Sequence, residues 1–287
     1  MIFNDQTAII TGGARGLGFA YAQELAKRGA HVLIQDSGTN VDGCGDDPTI
    51  VQKAAEKLRA QGYSVRAVET TINTREGCHA LVQEAIDTFG RVDILIHNPG
   101  WVGYQSITEL TPEFLQRAVA VQMEAPIWLT QAVWPQMQQQ NYGRIVLTTS
   151  CRAIYPEYAK PGLAAYAVTK LSQIGLMNVL ANESRQTGIE INAVSPVART
   201  RMWGADREPL DLKPESVVPG VVYLASSECH ESAWILRASN GQFHGIRWQE
   251  GAEVDYPLDI KGQNCQTAEE VAEKWKKIAI SVPEYRL

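Results

Sequence analysis

The β-branched run Thr7-Ala8-Ile9-Ile10-Thr11 leads directly into Gly12-Gly13-Ala14-Arg15-Gly16-Leu17-Gly18. A short apolar strand that turns on glycines into a helix must pack that helix back against itself, which begins a βαβ unit. Leu17, Tyr21 and Leu25 repeat at i+4, and Gly29 stops the helix. The same alternation continues down the chain. Strands are predicted at residues 31–35, 64–69, 92–96, 144–149, 189–194 and 233–238. Helices are predicted at 50–61, 75–89, 164–186 and 215–225. Thr111-Pro112-Glu113 starts a further helix with a cap residue and proline at its first position. Pro126 divides that region into two consecutive helical pieces ending near residue 139.

Strand–helix alternation predicts right-handed crossovers and an α/β fold, a Rossmann-type doubly wound parallel sheet of about seven strands. Residues 37–48 read as a Gly/Asp-rich surface loop. The expected organisation is a dinucleotide-binding and catalytic domain over 1–240, with a C-terminal extension over 241–287 packed on it. That extension includes a helix near 268–277.

Composition narrows the function classes. The net charge is −6 over 287 residues, and no basic run is long enough to suggest nucleic acid. No apolar stretch reaches bilayer-spanning length, so no membrane partner is expected. The first residues lack the basic and apolar segments of an export signal. Cys44, Cys78, Cys151, Cys229 and Cys265 are scattered without a C-x-x-C pair, which fits a reducing compartment and argues against a metal site. A cytoplasmic location is the expectation.

The chemistry-bearing residues fall in a fixed order. Gly12 permits a tight turn, Gly16 lets backbone approach a pyrophosphate at a helix N-terminus, and Gly18 allows close helix–sheet packing. The spacing is G-x-x-x-G-x-G. Arg15 and Leu17 in the same turn join the cofactor-binding set. Asp36 ends strand two, where a carboxylate can accept from ribose hydroxyls and repel a 2′-phosphate, so NAD is expected over NADP. Ser150 closes strand five, at the sheet edge where ligands bind. Tyr166 and Lys170 stand one helical turn apart. With ten tyrosines and ten lysines in the chain, such a pair arises by chance in roughly a third of chains like this, so its order after the glycine turn carries the weight. A neighbouring ammonium is expected to lower the phenol pKa and make Tyr166 a general acid/base. Cys151 has no base spaced to activate it and is read as structural.

Together these residues resemble the short-chain dehydrogenase/reductase family: T-G-x-x-x-G-x-G at residues 11–18, Asn98-Pro99-Gly100, Ser150, and Tyr166-x-x-x-Lys170. The likeness covers residues 5–240. Narrower features, from Ile34-Gln35-Asp36-Ser37-Gly38 to Gly245-Ile246-Arg247-Trp248 and the stretch at 268–278, are similar to the dehydrogenase domain of peroxisomal multifunctional enzyme type 2. The resemblance implies that Tyr166 takes the proton of a substrate hydroxyl and that Lys170 lowers its pKa and holds the nicotinamide ribose. It implies further that Ser150 orients the substrate oxygen, that Asn98 and Gly100 line the adenosine side, and that Pro196 and Thr200 flank the carboxamide. Gln122 takes the place of the family's relay asparagine.

Several positions depart from the family pattern. His97-Asn98-Pro99-Gly100 replaces N-N-A-G, and Pro196-Val197 replaces Pro-Gly. The acid after strand three is missing around Thr71-Ile72, and Ala159-Lys160-Pro161 is inserted between Ser150 and Tyr166. The leading expectation is an NAD-dependent dehydrogenase of a (3R)-hydroxyacyl-CoA, with Arg199, Arg201, Arg207 and Lys213 placed to dock a phosphorylated carrier. A steroid or cyclic-ketone dehydrogenase, walled by Tyr155, Tyr158, Met202 and Trp203, is the alternative within enzymes. A non-catalytic NAD-binding sensor or scaffold is the alternative outside them. A homodimer or homotetramer is expected through Ile127, Trp128, Ala132, Val133 and Trp134.

Overall fold

The computed structural model describes residues 1–40, 43–200, 212–250, 254–255, 257–258 and 260–279. Arg201, Met202, Trp203 and Arg207 therefore lie outside the described residues. By internal contacts the chain divides into two units, Met1–Ile246 and Arg247–Leu287.

In the first unit, β1 (Thr7–Thr11), α1 (Gly16–Lys27), β2 (His31–Gln35), α2 (Pro48–Arg59), β3 (Val65–Val68), α3 (Arg75–Phe89) and β4 (Ile94–His97) form the first half. The second half comprises α4 (Pro112–Val119), α5 (Ala125–Gln140), β5 (Gly143–Thr148), α6 (Cys151–Ile154), α7 (Ala164–Glu183), β6 (Ile189–Val197), α8 (Val218–Leu224), β7 (Ile235–Ser239) and β8 (Gln242–Ile246). The sheet order is β3-β2-β1-β4-β5-β6-β7-β8. All pairs are parallel except β7 with β8. The predicted parallel sheet is present, and an eighth, antiparallel strand that the sequence reading did not assign extends it. β8 is exposed along most of its length, so it lacks the apolar run that marks the other strands.

The period-two alternation of the strands feeds two cores. Ile10, Ile34 and Ile96 face α1, α2 and α8, whereas Ile9, Leu33 and Leu95 face α3, α5 and α7. These six side chains are fully buried, each contributing about 1.5–3 kcal/mol of transfer free energy. Buried Asp93 anchors the start of β4: it accepts from the Thr7 amide at 2.9 Å and from Arg91 at 2.6 and 2.8 Å. The expected break near Pro126 is a π-helical turn at Ala120–Glu124, with Pro126 in the first turn of α5. Of the residues expected at a subunit interface, Val133 is fully buried in the core. Trp128, Ala132 and Trp134 are half-buried against that core, leaving Ile127 more open.

The second unit contains α9 (Ala268–Ile278), capped by the Thr267 hydroxyl, which accepts from the Glu270 amide at 3.2 Å. Among the described residues, no helix is long and apolar enough to cross a membrane.

Candidate active site

The strand order reverses between β1 and β4, and the crevice outside the carboxyl ends of such strands is where doubly wound sheets take ligands. A cavity of about 1690 Å3 opens there. It exceeds the usual 300–1,000 Å3 of a single small-ligand pocket and has room for a dinucleotide together with a substrate. Gly12, Arg15, Gly16, Leu17, Asp36, Asn98, Gly100, Ser150, Tyr166, Lys170, Pro196 and Thr200 all line it. Gly18 does not; a Cβ there would stand 2.0 Å from the Gly12 carbonyl oxygen, so its role is packing beneath the turn.

The glycine turn is built for close approach. Gly12 and Gly16 have φ of +63° and +52°, a region L side chains rarely adopt. The Thr200 methyl lies 3.2 Å from where a Gly16 Cβ would be. Arg15 occupies the N-cap position of α1 in an extended conformation, no side chain makes a cap hydrogen bond, and no acid lies in the first turn. By contrast, Asp47, Thr74 and Thr111 cap α2, α3 and α4. The amide donors of α1 thus face the cavity without a side-chain acceptor, which fits a pyrophosphate. Asn98 donates to the Gly12 carbonyl at 3.2 Å and ties the turn to β4.

Asp36 lies just beyond β2 and is nearly buried. It accepts from the Gly38 amide at 2.8 Å, the Ala14 amide at 3.3 Å and Arg15 Nη2 at 3.2 Å. Arg15 also donates to the Thr39 carbonyl at 3.0 Å. Asp36, expected from sequence to repel a 2′-phosphate, and Arg15 of the glycine turn therefore form one ion pair. At this end the cavity wall includes Glu69 beside Thr71 and Ile72.

At the other end, Ser150 follows β5 and caps α6, its hydroxyl accepting from the Arg152 amide at 3.2 Å. Its hydroxyl also acts on the Tyr166 phenol. The expected acidified phenol is not what the structure has. Burial raises the Tyr166 pKa above its ordinary value, against smaller lowering effects from Ser150 and from the charge of Arg152. Lys170 is not among the largest effects on it. The lysine is itself buried, and desolvation pushes its pKa down to about 7. Its Nζ donates to the Thr148 carbonyl at 2.9 Å and the Pro99 carbonyl at 3.2 Å. One helical turn brought the two residues onto one face, but the environment of each was set by other strands.

The sequence departures have local reasons. His97 is fully buried, with Nδ1 3.0 Å from Thr11 Oγ1 and Nε2 3.1 Å from the Val121 carbonyl. The carbonyl requires Nε2–H, so Nδ1 accepts from the threonine. Burial, then the Lys170 charge, pushes its pKa down to about 3, so it is a neutral staple. Gln122 lies in the π-helical turn, fully buried. A Cβ on Gly100 would sit 3.0 Å from Gln122 Oε1 and 3.2 Å from Lys170 Nζ, so both groups flank that glycine. Pro196-Val197 remains in β6, paired with Ala238 and Ser239. Cys151 is held above its ordinary pKa by burial, consistent with an unreactive thiol. Among the described residues, no His/Cys/Asp/Glu cluster could hold a metal.

The structure adds residues that motif reading missed. Trp101, Thr149 and Arg237 line the cavity. Trp101 directly follows Gly100 and so had a positional signal. Arg237 is in β7, far from any motif, and had none.

The family model described as short chain dehydrogenase matches residues 6–211. The chain belongs to the short-chain dehydrogenase family. This is a family of oxidoreductases, and its relatives share the long C-terminal stretch as well. Peroxisomal multifunctional enzyme type 2 of Mus musculus is 33% identical over 96% of this chain, which spans 37% of that protein. Peroxisomal multifunctional enzyme A of Dictyostelium discoideum is 32% identical over 96% of the chain, 60% of its own length. The chain thus spans between a third and two thirds of these relatives. A putative short-chain type dehydrogenase/reductase of Mycobacterium tuberculosis, 29% identical, is covered over 94% of its length. In fold, this dehydrogenase aligns with a short chain dehydrogenase from Mycobacterium avium at a TM-score of 0.80, with 24% identity over 97% of this chain and 96% of that one.

Proposed function

We propose that the protein moves hydride between the nicotinamide of NAD and the carbinol carbon of a secondary alcohol or its ketone. One observation carries this reading: Ser150, Tyr166 and Lys170 share one cavity with the glycine turn and the uncapped end of α1. The residues fit the cofactor. Gly12, Gly16 and the first amides of α1 would hold the pyrophosphate, Asp36 the adenosine ribose, Asn98 and Gly100 the adenosine side, Lys170 the nicotinamide ribose, and Pro196 and Thr200 the carboxamide. When bound, NAD supplies the carbon that accepts or returns hydride.

The side chains divide the remaining work. Ser150 hydrogen-bonds the substrate oxygen. Tyr166, whose raised pKa keeps its proton near neutral pH, is the acid that protonates that oxygen as a ketone is reduced, and the base in the reverse direction. Lys170, with a pKa of about 7, exchanges protons readily at neutral pH, and Gln122 flanks the same Gly100. Asp36 supports NAD over NADP, because both its oxygens are engaged and a 2′-phosphate would meet a carboxylate.

Likeness to the dehydrogenase region of multifunctional enzyme type 2 supports a (3R)-hydroxyacyl-CoA as substrate. Tyr158 lines the cavity, and Tyr155, expected as a second wall, does not line it but packs edge to face behind Tyr158 at 5.8 Å between centroids; the Tyr158 ring favours a second reading, a cyclic ketone or steroid. A homo-oligomer is proposed from the family. Tyr166→Phe tests the central claim: NADH formation with a panel of hydroxyacyl-CoA and hydroxysteroid substrates is expected to vanish while NAD binding persists. Unchanged turnover removes Tyr166 from the reaction, and an inactive wild type that still binds NAD favours the sensor reading.

A further inference from the structure

The wall around Ser150 and Tyr166 carries an excess of positive charge. Arg152, Lys160 and Arg237 line the cavity there, with Glu157 the one carboxylate beside them in sequence. None of the ion pairs among the described residues involves these three cations. All three come from separate places. Arg152 is in α6, two residues after Ser150. Lys160 lies in the inserted Ala159-Lys160-Pro161 segment. Arg237 comes from β7, paired with Ser195 and His244 on either side.

The charges of Arg152 and Arg237 reach the reacting groups and their neighbour. Arg152 acts electrostatically on Tyr166. Arg237 and Arg152 both act on Cys151, the neighbour of Ser150. Arg237 is also held in place. Its guanidinium lies 5.1 Å from the Tyr155 ring centroid and 5.4 Å from that of Tyr158. The two rings meet edge to face at 85°. A guanidinium on a sheet strand, oriented by two aromatic rings and without a carboxylate partner among the described residues, is preorganised for a planar or tetrahedral oxyanion. Arg152 donates to the Tyr104 hydroxyl at 3.2 Å, which fixes one nitrogen and leaves the remaining donors of its fork.

We propose that Arg152 and Arg237 form an anion subsite, so that the alcohol or ketone taken by this site carries a carboxylate or phosphoryl group close to its reacting carbon. The proposal rests on the hydride-transfer reading for what the substrate is, but not for the binding itself. The phosphates of coenzyme A lie too far from the reacting carbon to fill it, so this subsite favours hydroxy acids or hydroxyalkyl phosphates over the hydroxyacyl-CoA and steroid substrates considered above.

The test is binding to the full-length protein in the presence of NAD, using 3-hydroxybutanoate, 3-hydroxybutyl phosphate and the neutral 3-hydroxybutanamide. Ligand-observed NMR gives the three dissociation constants. One or both anions are expected to bind about tenfold or more tightly than the amide, and the tighter of them assigns carboxylate or phosphoryl. In the R152Q/R237Q double variant, that preference is expected to fall to within about twofold, with Arg237→Lys between the two. Equal affinity for all three probes in the wild type overturns the proposal without any variant. So does no measurable binding of either anion, or an undiminished preference in a folded double variant. Turnover is recorded in parallel: tight anion binding with no NADH formed from any probe counts against hydride transfer, while leaving the subsite standing.

Discussion

Thr148, the last residue of β5, accepts a 2.9 Å hydrogen bond from Lys170 on α7 through its backbone carbonyl. The Lys170 carbonyl in turn accepts from the Thr149 hydroxyl at 2.8 Å. The lysine is thus locked onto the sheet edge and removed from water, and that sets its chemistry. Its pKa falls from 10.5 to about 7. A group with a folded pKa below its unfolded value binds fewer protons when folded. It opposes folding at low pH, and that cost is relieved as pH rises from about 7 toward 10.5. Lys170→Met is expected to remove this dependence. The stability difference between wild type and variant should shift in favour of the wild type by at most about 1.4 kcal/mol per pH unit across that window, as measured by urea unfolding.

The proposed preference for NAD is tested at the Arg15–Asp36 pair. Asp36→Ala frees Arg15 to meet a 2′-phosphate and removes the repelling charge. The ratio of NADP to NAD dissociation constants is expected to fall by about tenfold or more, read by quenching of intrinsic fluorescence. An unchanged ratio would place the discrimination elsewhere.

Gly18→Ala puts a methyl group 2.0 Å from the Gly12 carbonyl and 2.9 Å from Asn98 Nδ2. The first of these contacts is with backbone and cannot move without distorting the turn. A loss of about 1–3 kcal/mol and weakened NAD binding are expected together. Chemical denaturation and a cofactor titration on the same sample check both.

Gln122 has no hydrogen-bond partner for either amide atom among the described residues. Gln122→Met, similar in volume, is therefore expected to leave stability within about 1 kcal/mol or raise it. Turnover is expected to fall by on the order of tenfold if the amide passes protons toward Lys170. A variant with full turnover would make Gln122 a passive filler of the π-helical turn.

Much of the fold was legible because the local signals agree with one another. The run Thr7-Ala8-Ile9-Ile10-Thr11 is β-branched and apolar, and its neighbours pack on both faces. Thr111-Pro112 shows a helix start in two residues. β8 was not legible: Gln242-Phe243-His244-Gly245-Ile246 has no burial pattern, since only its pairing with β7 makes it a strand. The glycine turn, Ser150, Tyr166 and Lys170 were legible as one site because they follow in a fixed order, after β1, after β5 and on the long helix beyond it. Arg237 was not, because nothing within its own strand points to a ligand and its tyrosine partners lie about eighty residues upstream.

The sequence by itself determined which residues meet. Parallel strands with right-handed crossovers send every strand end to one edge, so residues at those ends gather whatever else the chain contains. Tertiary structure alone decided how they behave there. Spacing put Lys170 beside Tyr166 and suggested an acidified phenol, but burial governs both groups, raising one pKa and lowering the other. Desolvation depends on everything packed around a side chain, from every strand and helix at once, and no local stretch of sequence carries that sum.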